Sequence, residues 1–226
     1  MIEKYEDTSD GNAWLKALQK NQLRYPDVSV VRWLARIRPL LPEESSGFDM
    51  GFGSGQHLRL FMDYGIKAYG SELLDHAIDI GHEILQGHPL AGEILKGDID
   101  DINLVASSFN VFLSWGCVFL KPYDEMLQTL LSIEKALKPG GYSLFNFRTI
   151  DNWFYGLGSQ IKPGHWILDE RAGPYSGGKY TFMNEEEVRG LFANTSLDIE
   201  NFERTDWWSK NMTEQHSWWI VQCRRK

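Results

Sequence analysis

Apolar and polar positions change period several times along the chain, and those changes mark out its elements. Over 13–24, Trp14, Leu15 and Leu18 form a partial apolar face at helical spacing, with Asp10 placed to cap it. Pro26 interrupts the pattern. A second helix is predicted from Asp27 or Ser29 up to Pro39, with Val30, Val31, Leu34 and Ile37 on one side and Arg32, Arg36 and Arg38 on polar positions. After a polar linker over 42–47, Gly47, Phe48, Asp49 and Met50 read as the end of a buried strand. A helix is then predicted from Gln56. Next come a strand over 66–70, a helix over 73–86, a strand over 92–96 and a helical turn or two over 101–107. A buried strand over 109–115 and an amphipathic helix over 125–137 follow. Lys138, Pro139, Gly140 and Gly141 stop that helix before a strand at 142–147. Strand and helix in alternation imply a parallel sheet wrapped by helices, joined by right-handed crossovers.

The rhythm breaks over 148–180. Six glycines are interleaved there with Trp153, Phe154, Tyr155, His165, Trp166 and Tyr175. The stretch reads as a long segment without regular structure, and such segments inside a domain are usually functional or mobile. Order returns at Asn184, where Glu187 is spaced for a capping box. Two strands follow, 197–202 and 217–222, joined by a loop containing tryptophan. Residues 1–10 read as loosely attached.

Length and charge narrow the function. The 226 residues suit one domain. It divides into an N-terminal helical cap (1–46), a core (47–147), an insert (148–180) and a terminal helix with a strand hairpin (181–226). A net charge of −8 with no basic block argues against nucleic acid and anionic membranes as partners. No apolar run approaches the ~20 residues of a membrane span. The first ten residues are acidic and polar, unlike a signal peptide. A soluble cytoplasmic protein, monomer or homodimer, is expected. Cys117 and Cys223 lack metal-ligand spacing and read as buried reduced thiols, so no metal is expected.

The candidate chemistry sits at the strand exit 48–57. Gly51, Gly53 and Gly55 alternate between a strand and a helix, which leaves open backbone N–H groups beside a ligand site. A dinucleotide fingerprint needs G-x-G-x-x-G. Counted from Gly51 its third glycine falls on Gln56, and counted from Gly53 on Leu58. The pattern is instead acidic-x-G-x-G-x-G, beginning at Asp49. It resembles motif I of the class I S-adenosylmethionine-dependent methyltransferases.

Further motifs carry the same resemblance. Gly70-Ser71-Glu72 ends the second strand where that family places a carboxylate on the cofactor ribose, with Leu73 beside it. Gly97-Asp98-Ile99 is similar to the family's acidic residue at the adenine amine, with an apolar neighbour against the ring. The stretch from Asn110 to Ser114 and Trp115 looks like motif IV, with Asn110 where the family often has Asp. Leu137-Lys138-Pro139-Gly140-Gly141 closely resembles the family's L-K-P-G-G turn. The absence of an Asp-Pro-Pro-Tyr end at Ser114 counts against a nucleic-acid base as substrate. The resemblance implies a Rossmann-like, seven-stranded, mostly parallel sheet with an antiparallel C-terminal hairpin and helices on both faces. It implies S-adenosylmethionine as cofactor and S-adenosylhomocysteine as product.

Within that resemblance the substrate side falls to the two segments outside the core. Tyr25, Arg32, Arg148, Trp153, Tyr155 and Trp166 are the candidate substrate contacts, with 25–32 and 148–180 walling a pocket above Ser114 and Trp115. Arg148 leaves the fifth strand at its carboxyl end, where it suits a clamp on carboxylate or phosphate, or a surface ion pair. His57 and His165 are the candidate proton acceptors, and each also fits a structural role. Three functions remain open: a methyltransferase acting on a small polar metabolite such as a sugar, one acting on a macromolecule, or a non-catalytic cofactor-binding module.

Overall fold

The computed structural model describes residues 8–20 and 22–226. Most of the expected loose N-terminus, residues 1–7, lies outside them. Helix α1 (Ser9–Lys20) starts and stops about one turn earlier than the apolar pattern suggests. Thr8 precedes the helix and its Oγ1 accepts the N–H of Gly11 at 3.0 Å, whereas Asp10, the expected cap, falls within the helix. Helix α2 (Val28–Ile37) begins at Asp27, whose carboxylate accepts the Ser29 N–H at 2.7 Å.

The alternating core follows in order. It comprises β1 (Ser45–Met50), α3 (Gln56–Asp63), β2 (Ile66–Glu72), α4 (Asp75–Leu85), β3 (Ala91–Lys96), β4 (Phe109–Ser114), α5 (Tyr123–Ala136) and β5 (Leu137–Thr149). The stretch expected to be helical after Asp98 is a turn instead. The Asp98 carbonyl takes the N–H groups of Asp101 and Ile102, and its carboxylate takes that of Asp100.

These five strands pair in parallel in the order β3-β2-β1-β4-β5. The sheet is completed by β9 (Leu197–Ser209) and β10 (Glu214–Arg225), a long antiparallel hairpin whose β10 lies against β5. These seven strands, mostly parallel, are the larger part of a ten-stranded sheet among the described residues. Trp207 and Trp208, expected in a loop, sit near the end of β9, because the connection is only the short turn around Lys210, Asn211 and Met212, all at positive φ.

Period-two alternation sends neighbouring residues to opposite faces. Val111 and Leu113 of β4 pack with Val30, Trp33 and Leu34 of α2 and Phe61 of α3. Phe112, between them, packs with Met126, Leu130 and Ile133 of α5 and with Phe192 of α6 (Glu185–Phe192). Asn184 and Glu187 form the capping box at the start of α6.

The stretch 148–180 is not structureless. It holds β6 (Ser159–Lys162), β7 (His165–Ile167), a 3-10 helix (Glu170–Tyr175) and the start of β8 (Lys179–Met183). The three strands form an antiparallel ladder, and β8 adds in parallel to the last two residues of β5. Its glycines hide a strand pattern. Gly164, at φ +69°, makes the β6–β7 turn, and the strands are too short to show alternation. No helix among the described residues is long and apolar enough to cross a membrane.

Candidate functional site

The carboxyl ends of β1, β2, β4 and β5, with the turn after β3, meet along one edge of the sheet. Gly51, at φ +66°, turns the chain off β1 with its back to Cys117. A Cβ there would stand 2.2 Å from the Cys117 Sγ. Gly53, at φ +52°, is different: a Cβ would meet no atom within 4 Å. The backbone is bare at Gly53 toward open space, and at Gly51 because of packing.

Glu72, the last residue of β2, holds this turn. One carboxylate oxygen accepts the Gly53 N–H at 3.0 Å, and the other accepts Leu73 N–H at 2.6 Å and Leu74 N–H at 3.4 Å. Burial raises its pKa above the usual range against the lowering effect of these bonds.

Asp49 lies behind the turn, 1% exposed, and its Oδ2 has no hydrogen-bond partner among the described residues. Burial, and then the charge of Glu72, push its carboxyl well above the usual range. His57 Nδ1 stands 3.8 Å from that oxygen. Burial pushes the His57 pKa down to about 4, so its ring is neutral. Its Nε2 accepts the Asp27 N–H at 3.4 Å, which leaves the proton on Nδ1, facing Asp49. His57 thus ties the start of α2 to the start of α3.

A cavity of about 460 Å³ opens above this turn. Of the residues singled out from the sequence it brings together Gly51, Gly53, His57, Glu72, Leu73, Asp98, Ile99, Trp115 and Arg148. Asp98 accepts from Lys121 Nζ at 2.6 Å, and Lys121 also reaches Asp100 at 2.7 Å. Asp49, Gly55 and Ser114 do not line the cavity; Ser114 is wholly buried.

The far wall differs from the expected one. Tyr25 is 79% exposed, Arg32 faces solvent on α2, and neither reaches the cavity. Trp14, Ala17 and Leu18 of α1 and Leu23 stand there instead. The helix is anchored by Trp14, whose ring lies 6.3 Å from Tyr175 and 6.2 Å from Tyr180, and the chain after it by Leu23 N–H on Ser54 Oγ at 2.9 Å. From 148–180 only Arg148 and Tyr175 line the cavity. Trp153, Tyr155 and Trp166 pack locally, on Phe154, Phe182 and each other's neighbours. His165 is 2% exposed, with Nδ1 2.7 Å from Thr181 Oγ1, and is not a cavity residue. Cys117, Lys121 and Trp218 line the cavity without having been singled out as site residues. Trp218 lies on the last strand and carries no local motif.

Residues 48–141 match a family model described as a methyltransferase domain. Over that stretch the chain is similar to methyltransferase domains. Solved structures resemble it across most of their length. An S-adenosylmethionine-dependent methyltransferase from Methanosarcina mazei is 16% identical, with 84% of this chain and 96% of that one covered and a TM-score of 0.68. The 1,6-didemethyltoxoflavin-N1-methyltransferase of Burkholderia thailandensis, solved with 1,6-didemethyltoxoflavin and S-adenosylhomocysteine, is 14% identical, covering 100% and 92%, at 0.66. An S-adenosylmethionine-dependent methyltransferase from Mesorhizobium loti is 16% identical, covering 86% and 98%, at 0.66. At these identities the likeness is one of fold. No curated protein matches the sequence.

S-adenosylmethionine is the cofactor of this class of domain, and the site suits it. The methyltransferase turn leaves open space at Gly53, an unpartnered buried carboxylate oxygen on Asp49, and carboxylates at Glu72 and Asp98. An acidic surround of this kind complements a ligand carrying sulfonium and ammonium charges. Among the described residues no cluster of three or more His, Cys, Asp or Glu is placed to hold a metal.

Two outcomes follow from this geometry. Gly51→Ala should lose about 1–2 kcal/mol for the left-handed backbone, plus about 1–3 kcal/mol for the clash with Cys117. The double variant Gly51→Ala/Cys117→Ala should recover the second part in urea unfolding, and equal losses in the single and double variants would show that Cys117 does not crowd the turn. His57 should titrate near 4 by NMR, with the proton on Nδ1 above that. Since the folded value lies below the ordinary 6.5, its stabilising contribution is full above pH 6.5 and erodes between about 6.5 and 4. A His57 midpoint near 6.5 would overturn the assigned tautomer and its tie to Asp27.

Proposed function

We propose that the protein transfers the methyl group of S-adenosylmethionine to an oxygen or nitrogen nucleophile of a small polar metabolite, with sugars among the candidates. The observation that carries this reading is the cavity over the glycine turn. Carboxylates lie at one end and an aromatic wall of α1, Tyr175 and Trp218 at the other. A cavity of this size, roofed by the chain's own first helix, suits a small molecule better than a macromolecular surface. The didemethyltoxoflavin enzyme, with its small heterocyclic ligand, is a neighbour of the same fold.

In this reading residues 47–147 hold the cofactor, with Glu72 on the ribose, Asp98 and Ile99 at the adenine, and Asp49 behind the turn toward the amino-acid end. Trp14, Leu18 and Leu23, with Arg148, Tyr175 and Trp218, form the substrate side. The bound cofactor supplies an already activated methyl group. The protein's own work is to align the nucleophile and exclude water, and orientation alone is worth roughly 7–11 kcal/mol of a barrier. His57 acts as a positioning residue. Its Nε2 lone pair is committed to the Asp27 N–H and its ring is neutral, so it latches the cap to the turn and does not take a proton from the substrate.

Calorimetric titration should give binding of S-adenosylmethionine and S-adenosylhomocysteine and none of NAD; the reverse result would sink the reading. Glu72→Ala should weaken S-adenosylhomocysteine binding by about 1.5–3 kcal/mol, the worth of charge-assisted bonds to hydroxyls. It should also lower the unfolding free energy by about 1–3 kcal/mol, because the N–H groups of Gly53, Leu73 and Leu74 lose their acceptor, so the affinity is read on protein shown to be folded. Unchanged affinity would place the ribose elsewhere.

A further inference from the structure

Arg148 is a buried cation in unusual company. Its side chain is 6% exposed and lines the cavity. No carboxylate among the described residues pairs with it. The guanidinium carbon lies 4.2 Å from the Trp218 ring centroid, 4.7 Å from those of Phe154 and Tyr180, and 5.3 Å from that of Phe119. Nη1 donates to Asn152 Oδ1 at 3.3 Å, and Tyr180 supplies a further polar contact. Nε has no partner. Burial lowers the pKa to about 10, so the group stays charged at neutral pH. Four aromatic faces support a cation but offer no acceptor for its N–H fork.

Sheet order decides which ligand reaches it. From β3 to β5 the edge presents Asp98, Glu72, the turn after Asp49, Trp115 and then Arg148. The cavity is acidic at one end and cationic at the other. Lys121, also lining it, is already paired with Asp98 and Asp100. A cofactor seated on the acidic strands leaves Arg148 one strand farther out, past Trp115, where a second ligand lies.

Resting on the methyltransferase reading above, we propose that the substrate carries a carboxylate or phosphate group, bound by Arg148, on a flat body that packs against the aromatic wall of Trp218 and Tyr175. The anion accepts from the unspent guanidinium donors, and the ring faces hold both the cation and the substrate body. Placing the anion at Arg148 directs the nucleophile back toward Trp115 and the glycine turn. A sugar acid, a sugar phosphate and an aromatic acid all have this chemistry.

The test pairs anions with neutral analogues, benzoate against benzamide and glucuronate against glucose, titrated by tryptophan fluorescence into protein with and without saturating S-adenosylhomocysteine. At least one anion should bind about tenfold or more tightly than its neutral partner, as a charge-assisted bond requires. Arg148→Met should abolish that preference, and Arg148→Lys should keep part of it. Which pair responds separates a sugar-like from an aromatic body. Arg148→Met should bind S-adenosylhomocysteine within about threefold of the parent, a change too small for a lost charged bond. A larger loss, absent for 5′-methylthioadenosine, would give Arg148 to the cofactor's own carboxylate and overturn the proposal. Equal binding of anions and neutral analogues to the unaltered protein would overturn it without any variant. Failure to bind S-adenosylhomocysteine would count against the methyltransferase reading alone, because the anion preference is also measured without it.

Discussion

One carboxylate organises the edge of this sheet. Glu72 ends β2 and reaches across to β1's exit, where it fixes the Gly53 N–H while its other oxygen caps the two N–H groups that follow it. The chain between β1 and α3 then has little freedom. It must leave β1 at positive φ, pass Cys117 without a side chain, and turn into α3 with His57 reaching back over Asp49. Each condition depends on the others. Gly51 is small because Cys117 is there, Cys117 is held by the Met50 carbonyl at 3.0 Å, and Met50 is the strand residue that precedes the turn.

The cost of such an arrangement is electrostatic. Burial raises the proton affinity of both Asp49 and Glu72, and the charge of Glu72 raises that of Asp49 further. Arg148 is the opposite case, a cation lodged among ring faces. The two ends of the cavity are unlike in charge because they are built from different strands, and the parallel ladder keeps those strands in a set order.

The sequence makes the acidic end plain and the aromatic end obscure, for a physical reason. Gly51, Gly53, Glu72 and Asp98 belong to short segments in which backbone shape and chemistry coincide, so local pattern carries both. The aromatic end is assembled from distant pieces. Trp14 comes from α1, Tyr175 from a short 3-10 helix and Trp218 from the last strand, and nothing local distinguishes them from the chain's other aromatics. The wall expected at 25–32 is displaced because α1, whose apolar face looked weak, sets Trp14 against Tyr175 and Tyr180 and its other apolar side chains against the core beside α2. The strands β6 to β8 escape notice since each is brief and bordered by glycine or proline. The hairpin β9–β10 is longer than its apolar pattern because its outer half is held by ladder bonds while its side chains remain exposed.

Trp218 lies opposite Arg148 in the β5–β10 register. Both strands that make the glycine turn and its clasp are complete by Glu72, whereas the ring facing Arg148 comes much later in the chain, on β10. During synthesis the nascent chain therefore passes through a stage in which the acidic half of the cleft has its strands but the guanidinium has no aromatic partner on β10. Closing that long loop is entropically costly and comes late. The order of amino acids thus imposes an order of assembly: the glycine turn and its clasp need only β1 and β2, and the ring against Arg148 needs β10.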